Sequence, residues 1–160
     1  MSADSKSPGE ILTELILTLF RVNNLTLAWG DRLVASLGLT SARWQILGAV
    51  VFAERPQPVA WLARDLGANR QNVQRIVNDL AEDGLVEFSH NPHHRRAQLV
   101  MLTEKGRRTY EAALARYEPE ADALADGLAL ADLKTATRVL IALRERLERR
   151  GDTRARSSAP

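Results

Sequence analysis

Residues 59–80 read VAWLARDLGANRQNVQRIVNDL, and the spacing of their apolar positions predicts two short helices separated by a glycine. The first helix has one apolar face, and Gly67 supplies the turn after it. The second helix has a longer apolar face and ends before Gly84. The apolar positions are Val59, Leu62, Ala63 and Leu66, then Val73, Ile76, Val77 and Leu80. Two helices that pack their apolar faces across a tight turn form a helix-turn-helix.

The outward face of the second helix carries amides and guanidinium groups, without a carboxylate before Asp79. Its polar residues are Asn69, Arg70, Gln71, Asn72, Gln74, Arg75 and Asn78. A helix that is merely solvated favours acids in its first turn, where they oppose the positive end of the helix. Arginine and amide side chains instead match the major-groove edges of guanine and adenine. The pattern favours double-stranded DNA as the partner, and an ordinary exposed polar helix is the alternative.

A two-stranded hairpin is predicted after this helix, with strands at residues 86–88 and 99–102 and a turn at Asn91-Pro92. Its tip contains all three histidines of the chain beside two arginines. One interpretation is a wing that reaches DNA phosphates or a minor groove through His93, His94, Arg95 and Arg96. A solvated loop and a metal site are the alternatives. The wing is favoured over the metal site because Pro92 and the adjacent histidines give poor ligand geometry.

Long apolar helices are predicted at both ends of the chain. The first runs from about Glu10 to Trp29 and is apolar on nearly every side through residues 15–20, so it must be covered from several directions. The last has a heptad seam at Leu133, Ala136, Leu140, Leu143 and Leu147. Such a seam fits either an intramolecular bundle or a dimer.

Two further helices connect these regions. One is capped by Thr40 or Ser41, and its Gly48 lets a neighbouring element come close. The other is capped by Thr103 and contains Pro119, where a kink or a break is expected.

Composition excludes several classes of protein. The 160 residues include no cysteine, which removes disulfides, thiolate metal sites and a cysteine nucleophile. No Gly-rich phosphate loop, metal-ligand helix or nucleophile elbow is found, so neither enzymatic activity nor a cofactor or metal is expected. No apolar run approaches the ~20 residues of a membrane span, and residues 1–9 lack the order of a signal peptide. A cytoplasmic protein without a membrane partner is therefore expected.

Together these features predict a mostly α fold with a small β hairpin (α+β), a winged helix-turn-helix flanked by long N- and C-terminal helices. The resemblance described next implies that these are dimerisation helices. The winged-helix DNA-binding region is expected at residues 37–119, and the dimerisation region at 10–36 and 120–150. Residues 1–9 and 151–160 are polar and short of apolar side chains, so disordered tails are expected there.

Several local motifs resemble the MarR family of bacterial winged-helix transcriptional regulators. They are Leu37-Gly38-Leu39-Thr40, the Gln71-Asn72-Val73-Gln74-Arg75 helix, Asp83-Gly84-Leu85-Val86, the Asn91-Pro92 start of the wing and Leu102-Thr103-Glu104-Lys105-Gly106. The resemblance implies a homodimer that binds a pseudo-palindromic operator and usually represses nearby genes. The chain departs from many relatives at His94, where they have an acid, and at Ala129, where they often have a serine cap.

The resemblance also implies release from DNA by a small aromatic or phenolic effector, which enters a crevice beside the DNA-binding region. Trp29 and Trp44 could stack on such an effector, and Arg43 could pair with its carboxylate. Core packing of the tryptophans and a surface salt bridge of the arginine are the alternatives. The expected function is a dimeric DNA-binding regulator, a repressor released by a small ligand. The alternative is a winged-helix protein-interaction module without sequence-specific DNA binding.

Overall fold

The structure is a computed structural model that describes residues 6–94 and 96–157. The helices are α1 (Pro8–Val34), α2 (Ser41–Phe52), α3 (Val59–Asp65), α4 (Arg70–Glu82), α5 (Glu104–Ala125) and α6 (Leu130–Ser157), and a 3-10 turn (Ala35–Leu37) follows α1. The strands are β1 (Gln57–Pro58), β2 (Val86–Ser89) and β3 (Leu99–Leu102). The predicted fold class, mostly α with a small β hairpin in a winged helix-turn-helix, is confirmed.

The sheet has three antiparallel strands in the order β1-β3-β2. In the hairpin Val86 pairs with Leu102, and on the other side of β3 Gln57 pairs with Val100. Strand β1 was not predicted, because the Pro-Gln-Pro sequence at residues 56–58 indicated only the end of a helix. A proline is tolerated in this strand because β1 is an edge strand, where one N–H faces away from the ladder.

The helix-turn-helix is built as its apolar spacing predicts. Its second helix, α4, is anchored by Val73, Ile76, Val77 and Leu80, each at most 5% exposed. Gly67 ends α3 at a φ of 61°, and Gly84 follows α4 at a φ of 70°. Both angles lie in the left-handed region that favours glycine. The predicted turn and the predicted end of the helix are therefore confirmed.

Two glycines let α5 approach its neighbours closely. A Cβ on Gly48 would lie 3.4 Å from the ring of Tyr110, so the predicted close approach at Gly48 is confirmed. A Cβ on Gly106 would lie 1.9 Å from the carbonyl oxygen of Leu85, which no side chain can tolerate. The start of α5 is therefore pressed against the chain between α4 and β2.

The helix boundaries differ from the predicted ones at three places. Helix α1 begins at Pro8 rather than Glu10, because Ser7 and Glu10 form a reciprocal capping box. Helix α5 continues through Pro119, so the predicted break there is wrong, and the chain leaves the helix before Gly127, which has a φ of 78°. Helix α6 extends to Ser157, past residue 151, where the tail was predicted to begin. Residues 1–5 and 158–160 of the predicted tails lie outside the described residues.

The segment Pro8–Leu37 is long and apolar enough to cross a membrane by length and composition alone. The expectation that no run would reach this length was wrong. Leu17, Phe20 and Leu25 on α1 are 55%, 62% and 71% exposed. A helix with apolar side chains all round is also typical of one that is covered by protein from several directions.

The chain forms two compact units, one that ends at Pro119 and one that begins at Glu120. The first contains the helix-turn-helix, the sheet and the hydrophobic core described above. In the second, the predicted heptad seam of α6 is exposed except at Leu143, which is half-buried, with Leu140 at 36% and Leu147 at 61%.

Candidate nucleic-acid interface

Helix α4 begins with a side-chain cap. The side-chain oxygen of Asn69 accepts hydrogen bonds from the backbone N–H groups of Gln71 at 2.9 Å and Asn72 at 3.2 Å. An asparagine at this position satisfies donors that the first turn leaves unpaired. Asn69 was predicted as a DNA-binding residue, and its oxygen is occupied in holding the start of the helix.

The remaining predicted residues of α4 lie on one outward face. Arg70, Gln71, Asn72, Arg75 and Asn78 are exposed, and Gln74 is half-buried. The first turn contains no acid. A surface of this kind offers the paired donors and acceptors that base edges in a major groove require.

Hydrogen bonds along this face hold the side chains in a row. The amide nitrogen of Gln74 donates to Asn78 at 3.0 Å. The Arg75 guanidinium donates to Asn72 at 3.1 Å and to Asp79 at 3.4 Å. Because Asp79 is the first carboxylate on the helix, it partly neutralises Arg75 and leaves Arg70 at the positive end.

The loop between β2 and β3 is held by a buried asparagine, and with these strands it forms the wing, residues 86–102. Asn91 is 8% exposed. Its side-chain nitrogen donates to the Ala97 carbonyl at 2.9 Å, and its side-chain oxygen accepts from the His93 N–H at 3.0 Å. The two legs of the loop are therefore joined through one side chain. Sequence reasoning took Asn91 only as a turn residue, although its Asx-turn bond is typical of asparagine in turns.

This arrangement leaves the polar side chains of the tip on the surface. His93, His94 and Arg96 are exposed. Arg95 lies outside the described residues. The exposed side chains fit the predicted wing and the alternative solvated loop equally well.

The end of α4 is tied to two other helices. The Arg43 guanidinium of α2 pairs with the carboxylate of Asp83, and it also donates to the Gly38 carbonyl at 2.9 Å. Lys105 of α5 donates to the Asp83 carbonyl at 2.7 Å. Arg43 was predicted to meet an effector, and this geometry corresponds to the salt bridge that was its alternative.

The two tryptophans predicted to meet an effector are brought together by Tyr117. The rings of Trp29 and Tyr117 are 5.7 Å apart between centroids, and those of Trp44 and Tyr117 are 5.4 Å apart. Both tryptophans are half-buried. Tilted and edge-on contacts of this length stabilise aromatic clusters, so packing occupies at least one side of each ring.

A cleft of about 790 Å³ opens beside α2 and reaches α3 and α5. Its aromatic lining is Trp44, Phe52, Trp61 and Tyr110. The Arg64 guanidinium lies 5.7 Å from the centre of the Trp61 ring, a cation–π distance. The cleft is large enough for a small organic ligand.

Two polar groups lie deep in this cleft. The side-chain oxygen of Gln57 is buried and has no hydrogen-bond partner among the described residues. The pKa of Tyr110 is raised by burial, which keeps its hydroxyl protonated. Sequence reasoning missed Gln57, Trp61 and Tyr110, since they come from three separate elements. Only Trp61 could have been found from the sequence, because it is a large aromatic residue at a position facing away from the helix-turn-helix core.

Comparison with known proteins identifies the family of the chain. A family model described as MarR family matches residues 37–97. The uncharacterized protein Rv2011c of Mycobacterium tuberculosis is 38% identical over 137 residues, which cover 83% of this chain and 94% of that protein. The chain belongs to the MarR family.

Some of the proteins that the chain is similar to carry functional names. The transcriptional activatory protein BadR of Rhodopseudomonas palustris is 33% identical over 115 residues, covering 69% of this chain and 63% of BadR. The repressor CouR bound to a 23-mer DNA duplex superposes with a TM-score of 0.74 at 25% identity, covering 88% of this chain and 99% of CouR. CouR of Rhodococcus jostii RHA1 bound to p-coumaroyl-CoA superposes with a TM-score of 0.69 at 22% identity, covering 89% and 95%.

Membership of the MarR family assigns the general activity. The chain is a DNA-binding transcription regulator and not an enzyme. At the level of the family, its partners are DNA and a second copy of itself.

Proposed function

We propose that this MarR-family chain is a homodimeric cytoplasmic repressor that binds a pseudo-palindromic operator and is released by a small aromatic effector. One observation carries the DNA-binding part of this proposal. The outward face of α4 presents exposed arginines and amides with no acid in its first turn, on a helix whose other face is fully buried. These side chains lie outside the hydrophobic core, which favours recognition as their function.

The proposed contacts come from the recognition helix and from the wing. On α4, Arg70, Gln71, Asn72, Gln74, Arg75 and Asn78 enter the major groove, and Asn69 holds the start of that helix. At the wing, His93, His94, Arg95 and Arg96 meet phosphates or the minor groove. A symmetric dimer places its two recognition helices about one helical turn of DNA apart, roughly 34 to 36 Å.

The dimer itself is supported by exposed apolar helices. Phe20 and Leu25 of α1 are more than half exposed, as is Leu147 of α6. Apolar surface of this extent on a terminal helix marks an interaction site rather than a solvated face. A second copy of the chain is the partner that the family offers.

DNA binding is tested by fluorescence anisotropy with duplexes from the region upstream of the protein's own gene. Six to ten phosphate contacts make affinity fall by about 10³ to 10⁵ between 50 and 200 mM salt. Replacing Arg70 and Arg75 together by Glu is expected to abolish binding while the dimer persists in light scattering. The alternative of a protein-interaction module would be supported by two results together. The wild type would not bind DNA, and the variant would bind a protein partner as well as the wild type does.

An aromatic effector is the second part of the proposal. The cleft beside α2 offers aromatic rings, a buried unpaired oxygen at Gln57 and the Arg64 guanidinium, which together suit a hydroxylated aromatic acid. The binding of p-coumaroyl-CoA by CouR favours this class of ligand. Trp29, Arg43 and Trp44 remain proposed contacts, and Trp44 also lines the cleft.

The effector is tested with 4-hydroxycinnamate and its coenzyme A thioester. Binding is expected to quench tryptophan emission and to release the protein from DNA in anisotropy. A reporter gene placed behind the upstream region then separates repression from activation, the role named for BadR. Repression predicts higher expression when the regulator is deleted.

A further inference from the structure

A small notch of about 100 Å³ lies where the recognition helix α4 meets the base of the wing. Arg70 and Gln74 line it from α4, Phe88 from β2, and Arg96 and Gln98 from the returning leg of the wing. This volume is small beside the roughly 300 to 1,000 Å³ of pockets that bind organic ligands. That size suits a compact ion and not a nucleobase.

The charge beside this notch is positive and uncompensated. Arg70 and Arg96 are both exposed, and within residues 6–94 and 96–157 neither guanidinium forms an ion pair or a hydrogen bond. Arg75, one turn further along the same helix, is by contrast paired with Asp79. None of the described residues that line the notch has a carboxylate. Two unpaired cations converging on a small acid-free recess are typical of an anion site.

The position of the notch indicates which anion it takes. A helix in the major groove and a hairpin in the minor groove lie on opposite sides of a sugar-phosphate backbone, so a strand of that backbone must pass between them. The notch lies between these two elements. We infer that it holds a single DNA phosphate, shared by Arg70 of the recognition helix and Arg96 of the wing. This inference rests on the proposed DNA-binding function.

The remaining lining residues suit a phosphate diester. A guanidinium donates two parallel hydrogen bonds to phosphate oxygens, and the amides of Gln74 and Gln98 are further donors at the same recess. Phe88 offers no polar group that would compete. A phosphate bound by Arg70 on one side and by Arg96 on the other would fix the wing relative to α4. The remaining side chains of α4 would then be aligned with the bases.

The inference is tested by a methylphosphonate scan with the full-length protein. Each phosphate of the specific duplex is replaced in turn by a neutral methylphosphonate, and affinity is measured by anisotropy. At one phosphate position in each half-site, the substitution is expected to lower the affinity of the wild type about tenfold, which is the range of a charge-assisted contact. For Arg70→Ala and for Arg96→Ala, replacing the phosphate at that same position is expected to leave affinity unchanged. The double variant is expected to lower the salt slope by about 0.9 per half-site, the value of one phosphate.

Arg108→Ala is the control, since Arg108 is an exposed arginine of α5 outside the notch. This variant is expected to lose affinity at the same phosphate positions, and by the same amounts, as the wild type. Loss of sensitivity at two different positions, or a slope lowered by about 1.8 per half-site, would overturn the shared phosphate. Thermal melting of each variant shows that the fold is intact. A wild type without salt-dependent binding would instead contradict the proposed function itself.

Discussion

The recognition face of α4 and the cleft beside α2 place polar groups in opposite ways. On α4, arginines and amides stand on the surface above a fully apolar core. In the cleft, the side-chain oxygen of Gln57 is buried and has no hydrogen-bond partner in the part of the chain that the structure describes, whereas the rings of Phe52 and Trp61 are exposed. A polar group on the surface costs little when no ligand is bound, whereas a buried unpaired oxygen destabilises the fold. The difference predicts that variants of the two regions respond in opposite directions.

The largest effect is expected at the recognition face. Arg75→Ala should weaken DNA binding by about 1 to 3 kcal/mol. The loss should come from one base position of the operator, where the variant should discriminate less between bases. Thermal stability should hardly change, because an exposed ion pair such as Arg75–Asp79 stabilises a helix by only about 0.3 to 0.5 kcal/mol. Anisotropy against a set of single-base operator variants measures this selectivity.

Arg108→Ala provides the matched control for this prediction. Arg108 is 69% exposed at its side chain, against 67% for Arg75, and it forms the same i,i+4 type of ion pair. It should leave selectivity unchanged. A uniform loss of affinity on every sequence in Arg75→Ala would mean that Arg75 contacts a phosphate and not a base.

An intermediate effect of the opposite sign is expected in the cleft. Gln57→Leu removes the buried unpaired oxygen, so it should raise the free energy of unfolding by about 1 kcal/mol. The same change should weaken binding of the hydroxylated aromatic acids by up to about tenfold, because it removes an acceptor for the ligand. Urea denaturation and quenching of tryptophan emission measure the two quantities.

Gln45→Leu is the control for the cleft, since Gln45 lines it but is exposed. It should change neither quantity appreciably. Destabilisation by Gln57→Leu would show that the oxygen is satisfied in solution, and the cleft would then lose its best argument for a ligand.

The two regions also differ in how far the sequence predicts them. The face of α4 is contiguous, so the spacing of Val73, Ile76 and Val77 predicts both the buried side and the polar side. The cleft is assembled from Gln57, Trp61 and Tyr110, which lie on β1, α3 and α5. No local period connects residues that the fold brings together from distant parts of the chain.

The same reasoning accounts for the errors in the predicted elements. Strand β1 has two residues beside a proline, and only its pairing with β3 makes it a strand. Helix α5 continues through Pro119, although a proline removes one helical hydrogen bond and clashes with the preceding turn. Gly127, with its positive φ, lies just beyond the end of the helix instead. Sequence rules treat each residue separately. Which of several weak helix-ending residues ends a helix, here Gly127 rather than Pro119, depends on the packing of the whole fold.

The smallest effect is expected from the Tyr110 phenol at high pH. Burial raises the pKa of the Tyr110 hydroxyl above the usual tyrosine value of about 10, because the buried phenolate would be poorly solvated. The unfolded chain therefore releases this proton first, so stability is complete below about pH 10 and falls as the pH rises through the folded pKa. Tyr110→Phe should remove this part of the alkaline loss, measured as the change in urea midpoint between neutral and alkaline pH. Tyr117→Phe, which removes the other tyrosine, should retain it. An identical alkaline loss in both variants would show that the Tyr110 hydroxyl is open to water, and the cleft would then resemble the exposed recognition face.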